Sequence, residues 1–110
     1  MSNLGIKVFY EPLRSIDSAI FTGAYQALGA PLVHSPFLIK LVNTSTMPVT
    51  ISLDGVTDDD ICPQGSFYLY DEGANASRGS VLAFKAKTQV WIRGNAGVGR
   101  VYLVVQYVGG

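Results

Sequence analysis

The chain has one cysteine, one histidine and one tryptophan in 110 residues, and no net charge, since eight basic side chains balance eight acidic ones. A single cysteine, Cys62, excludes an internal disulfide, a CxxC pair and a thiolate metal site, so the chain suits a reducing compartment or is indifferent to it. Charge neutrality removes the electrostatic case for nucleic-acid binding. No apolar run approaches the roughly 20 residues that span a bilayer. The amino terminus has no basic region leading into an apolar block, as a signal peptide would. The expectation is a soluble protein made in a cytoplasm, with neither nucleic acid nor membrane as partner.

What remains is apolar. Hydrophobic residues make up 48% and charged ones 15%, a low charge content for a single small domain with a high surface-to-volume ratio. Some of that apolar area must stay outside, and exposed apolar patches mark interfaces. The charges are also segregated. No Lys or Arg occurs between Lys40 and Arg78, no Asp or Glu follows Glu72, and Asp54, Asp58, Asp59 and Asp60 fall in the first interval. An acidic patch of one subunit could meet the basic patch of the next, or the two sets could neutralise each other within one fold.

Residues Lys40 to Asp71 read as strand, turn, strand, acidic loop, strand. Val49, Ile51 and Leu53 alternate with Thr50, Ser52 and Asp54, the period of a half-buried strand. Asp54-Gly55 supplies a turn that tolerates positive φ. Phe37–Val42 is apolar on both faces and is expected to be covered on both sides. Further strands are expected at Phe67–Tyr70, Val81–Phe84, Gln89–Arg93 and Arg100–Val108, with Val101, Leu103, Val105 and Tyr107 on one face of the last. Ser15–Leu28 reads as two short strands. The spacing of strands and turn residues indicates an all-β antiparallel sandwich or small barrel. The stretch 1–35, with Pro12 and Pro31, reads as an extended N-terminal arm with edge strands, and 36–110 as the sandwich core.

Candidate chemistry is thin. The carboxylates of Asp54, Asp58, Asp59 and Asp60 form the one candidate calcium site, but they lack EF-hand spacing, and a solvated loop accounts for them first. His34 stands in a Pro-rich connector without a partner motif and reads as structural. Cys62 reads as a small buried hydrophobe whose acidic neighbours raise its pKa. Gly94–Gly99 resembles a phosphate loop but leads into a strand and not a helix, so it is taken as a hairpin loop. Phe67, Tyr68, Tyr70, Trp91, Tyr102 and Tyr107 invite a stacking platform for sugars, although alternation puts Phe67 and Tyr68 on opposite faces. No enzyme and no cofactor is expected.

Several short motifs carry a resemblance. Val42-Asn43-Thr44-Ser45, Val49 through Gly55 with Asp58, Pro63, Gly65-Ser66-Phe67, Leu69-Tyr70-Asp71, Ala74-Asn75, Val90, Ile92 and Arg93, Val101-Tyr102-Leu103 and, upstream, Tyr25 through Gly29 are similar to small structural proteins of tailed bacteriophages. The likeness runs from about Ile39 to Tyr107. It implies a virion component of β-sandwich or jelly-roll type. The leading expectation is a capsid decoration (cement) protein that stabilises the shell by binding the major capsid protein or neighbouring virion proteins. Self-association as a dimer, trimer or ring is expected with it. A head–tail connector or tail accessory ring is the alternative, and a carbohydrate-binding module of a host-recognition apparatus the second. The expected contact residues are Phe9, Tyr10, Leu13, Arg14, Phe21 and Tyr25 in the arm, with Asp58, Asp59 and Asp60 in the loop.

Overall fold

A computed structural model describes residues 7–71 and 85–109. The strand expected at Val81–Phe84, and Ala74-Asn75, lie outside these. The elements are β1 (Lys7–Tyr10), β2 (Arg14–Asp17), a 3-10 turn (Ser18–Ile20), β3 (Gln26–Ala27), β4 (Leu38–Asn43), β5 (Val49–Ser52), β6 (Asp60–Cys62), β7 (Ser66–Asp71), β8 (Trp91–Arg93) and β9 (Arg100–Gly109). They form two antiparallel sheets. One runs β1-β9-β4-β7, with β2 also paired to β9, and the other runs β3-β8-β5-β6. From β2 onward consecutive strands lie in opposite sheets, except β5 and β6, which pair with each other within one sheet of the sandwich.

The period-2 arithmetic decides what each sheet buries. In β9, Val101, Leu103 and Val105 point inward, and the register places them opposite Asn43, Leu41 and Ile39 of β4. Val49 and Ile51 of β5 and Ile92 of β8 face them from the second sheet in one core cluster. Burying side chains of this kind contributes about 1.5–3 kcal/mol each. β4 departs from the expectation that both its faces are covered. Ile39, Leu41 and Asn43 are buried, but Leu38, Lys40 and Val42 are only half-buried, because among the described residues no layer packs on that side.

Residues 7–35 hold the edge strands β1, β2 and β3 and are no loose arm. Ile16, Phe21, Leu28 and Leu32 are part of the core. Between the pairs Tyr10↔Gln106 and Arg14↔Leu103 the edge advances four residues against three on β9. One extra residue is absorbed around Pro12, as in a β-bulge, where a proline costs no ladder bond.

Asn43 ties the sheets together at one end. Its Nδ2 donates to the carbonyls of Met47, Cys62 and Pro63, and its Oδ1 accepts from the Ser45 amide and hydroxyl. A buried amide satisfied in this way fixes its surroundings, since any lost partner leaves a polar atom out of water.

Candidate functional site

The acidic loop between β5 and β6 is held by its own carboxylates. Asp54 Oδ1 accepts from the Thr57 amide at 2.7 Å, the Val56 amide at 2.8 Å and the Ser52 hydroxyl at 2.8 Å. Those amides, Thr57 first, hold its carboxyl well below the usual range. Asp58 accepts from the Tyr25 hydroxyl and pairs with Arg93 Nη2 at 2.9 Å. The Tyr25 bond, then Arg93, lower the Asp58 pKa, while burial and then Asp58 raise that of Tyr25. Asp59 accepts from the Leu53 amide at 3.0 Å, and Asp60 from the Ile61 amide at 2.8 Å. The four carboxylates therefore serve separate hydrogen-bond sets and do not converge. Among the described residues no group of three or more potential metal ligands forms.

Gly55 in this loop has φ +79°, a conformation suited to glycine. A Cβ there would stand 3.1 Å from the Trp91 ring. Gly55 thus lies against one side of the indole, which is half-buried. Tyr70 is buried while Phe67 is exposed, so these aromatics share no single face.

A second polar cluster went unnoticed in the sequence. The Glu11 side chain is 1% exposed and pairs with Arg14 Nη2 at 2.8 Å. It also accepts from the Val33 amide at 3.1 Å, the His34 amide at 2.7 Å and His34 Nδ1 at 2.9 Å. Burial pushes the Glu11 carboxyl up, but His34, Arg14 and the two amides outweigh it and hold the pKa below its ordinary value. Arg14 further donates from Nε to the Ala30 carbonyl and from Nη2 to that of Pro31. The His34 ring stacks on Tyr107, with centroids 3.6 Å apart, and Tyr107 stacks on Phe9 at 5.5 Å. This is a clasp that pins the Ala30–Ser35 connector to the edge strand. His34 is thereby tied into the fold by both its amide and its ring.

The expected contact residues divide. Phe9, Tyr10 and Leu13 are exposed, and the Tyr10 hydroxyl accepts from Gln106 Nε2 at 2.8 Å. Asp58 and Asp59 are exposed and Asp60 half-buried, all three engaged as described. Tyr25 is half-buried beneath the Arg93 guanidinium, 5.4 Å from its ring centroid. Arg14 and Phe21 are corrected: at 8% and 4% exposure they lie inside the fold, one in the Glu11 clasp and the other in the core. One further correction concerns a loop. Gly94–Gly99 joins β8 to β9, which belong to different sheets, so it is a crossing between layers and not a hairpin. Of the ion pairs within the chain, Asp58–Arg93 joins the two segregated sets of charge, while Glu11–Arg14 and Asp17–Arg100 draw on acids nearer the amino terminus.

Cys62 is fully buried, and burial, the first cause, raises its thiol pKa, with Asp60 adding to the rise. The concavities are small. One of about 20 Å³ lies among Ile39, Leu41, Ile51, Tyr70, Val90 and Leu103, with Asp60 and Tyr68 also lining it. Another of about 220 Å³, beside Met47, Pro48, Ile61 and Arg93, falls below the ~300 Å³ at which ligand sites begin. The feature left without an internal role is the outward side of the five-stranded sheet, where Phe67 and Leu69 stand exposed. Their alternation with Tyr68 and Tyr70 was the signal for it.

No protein-family model matches the sequence, and no curated protein matches it. Among solved structures the fold is similar to that of a protein described under the words "Bacillus endospore appendages form a novel family of disulfide-linked pili". The TM-score is 0.50 with 13% identity, over 100% of this chain and 96% of that one. At that identity the likeness is one of fold.

Proposed function

We propose that this protein is a non-enzymatic structural subunit that acts by assembling with copies of itself and with neighbouring subunits. One observation carries the reading. Glu11, Arg14, His34, Asp54, Asp58 and Arg93, the side chains with chemistry to offer, are engaged in holding the fold, while thirteen large apolar side chains among the described residues remain outside. The sequence resemblance favours a coat role in a virion, as a decoration protein bound across the major capsid shell. The fold likeness to a pilus protein favours a fibre or ring as the second form of the same function. Disulfide linkage does not carry over simply, because Cys62 has no exposed surface.

The test is electron microscopy and mass measurement of the purified chain, together with its binding to phage heads that lack it. Small oligomers that coat the whole shell and raise its melting temperature support decoration. Rings or fibres formed by the chain alone move it to the second form. A monomer that coats nothing and polymerises at no concentration sinks the structural reading altogether.

A further inference from the structure

The outer face of the five-stranded sheet gathers side chains that a solvated sheet face ordinarily keeps polar. By the pairing register, Phe67, Val42 and Tyr102 form one cross-strand row and Leu69, Lys40 and Val104 the next. Leu38, Gln106 and Tyr10 follow, then Val8 and Val108. Phe67 is 65% exposed, Tyr10 63%, Leu69 49%, Val8 46% and Val108 45%. Five of the thirteen exposed large apolar residues thus share one face, and the rest are dispersed over loops, a bulge and other surfaces.

With the half-buried Leu38, Val42, Tyr102 and Val104 the field amounts to on the order of 600 Å² for side chains of this size. That is the upper end of patches on ordinary monomers, and about three quarters of what one partner brings to a standard interface. Lys40 lies within it and Asp71 stands in register with Leu38 at its edge, and a lysine stem can lie along apolar neighbours while its ammonium reaches the rim. The outer face of the opposite sheet offers no counterpart among the described residues. Ile61 is its exposed large apolar side chain, and Trp91 is half-buried with Gly55 against its ring. A heterologous contact needs two different complementary surfaces, whereas a two-fold contact uses one surface twice. A field with no match elsewhere on the chain matches itself, and a net charge of zero sets no overall repulsion between copies.

We propose that this face is a self-association surface on which two copies pack outer face to outer face, with Phe67, Leu69, Val42 and Tyr102 at the seam. Aligned sheet packing about 10 Å apart suits such a contact. The inference deepens the structural reading above by naming the first partner, a second copy of the chain, and the face it takes.

Sedimentation of the full chain over a wide concentration range tests it, with Phe67→Lys as the disrupting change and Ile61→Lys as the matched change on the opposite sheet. The native chain is expected to dimerise. Phe67→Lys should weaken the dimer roughly 30-fold or more, as for a central aromatic, and Ile61→Lys should leave it unchanged. In parallel, Leu69→Cys treated with a short bis-maleimide should yield a covalent dimer, since Cys62 is buried. A native chain that stays monomeric, a dimer that Phe67→Lys leaves intact, or an absent cross-link overturns the proposal. The two readings fail separately. A monomer that still coats shells or builds fibres removes the face pairing alone, and a face-paired dimer that enters no larger assembly removes the structural role alone.

Discussion

Two clusters in this protein use the same chemistry, a carboxylate between an arginine and an aromatic ring, in opposite surroundings. Glu11 lies inside the fold with Arg14 and His34, its side chain 1% exposed, whereas Asp58 holds Arg93 and Tyr25 on the surface with half its side chain in water. Both show short contacts and lowered carboxyl pKa values. The difference lies in what is lost when a partner goes. At the surface, water replaces it, and a solvated pair contributes little. Inside, Arg14 would keep its carbonyl acceptors but lose its counter-charge, and the Val33 and His34 amides would lose their acceptor. Burial, more than bond length, tells which pair the fold depends on.

The widest separation between the clusters should come from Glu11→Ala. Breaking a buried pair costs about 3–5 kcal/mol, so its denaturation midpoint should fall by far the most, and Glu11→Gln should recover part of the loss. A shift no larger than that of Asp58→Ala would erase the distinction. Next is Gly29→Ala. Gly29 has φ +72°, and a Cβ there would lie 2.6 Å from Arg14 Cγ, on a side chain fixed by its hydrogen bonds to Glu11, Ala30 and Pro31. A loss of about 2 kcal/mol is expected, measured in the same denaturant series.

Acid sharpens the contrast further. The folded-state pKa of Glu11 is depressed, so its contribution is fully present above the unfolded value of about 4.3. It is lost as pH falls through the folded value. Stability of the native chain should therefore drop across that window, and Glu11→Gln should flatten the drop; parallel curves would remove Glu11 as the cause. The smallest effect belongs to Asp58→Ala and Arg93→Ala. Their double-mutant cycle should give a coupling near the error of the measurement that vanishes in high salt. A large, salt-resistant coupling would put the surface cluster on a level with the buried one.

Much of this fold is legible in alternation. Val49–Ser52, Phe67–Tyr70 and Arg100–Val108 announce themselves because period-2 patterning states which side chains go inward. The pattern does not say whether anything covers the other side. Leu38, Lys40 and Val42 read as a second buried face, yet they are half-exposed, since an apolar residue looks the same in a core and in an interface. β6 escaped because Asp60–Cys62 is three residues long beside a run of aspartates. The Glu11 clasp escaped for a different reason. Its partners are 3, 22 and 23 residues away in a stretch rich in proline and glycine, and nothing periodic links them. The site suffers the same limit: Phe9, Tyr10 and Leu13 are outside as expected, but Arg14 and Phe21 are inside, because composition does not reveal which polar side chain has found a buried acceptor.

The pairing of β9 has a consequence for how the chain is made. β1, β2 and β4 all take β9 as their hydrogen-bonding neighbour, and β9 leaves the ribosome after each of them. Residues 7–17 must wait some ninety residues for their partner, at about 5–20 residues per second. Until then β1, β2 and one side of β4 stand with open edges, the state most prone to join strands of other chains. Closure through such distant contacts is slow in its own right. The five-stranded sheet is therefore completed in one late event, when its central strand arrives.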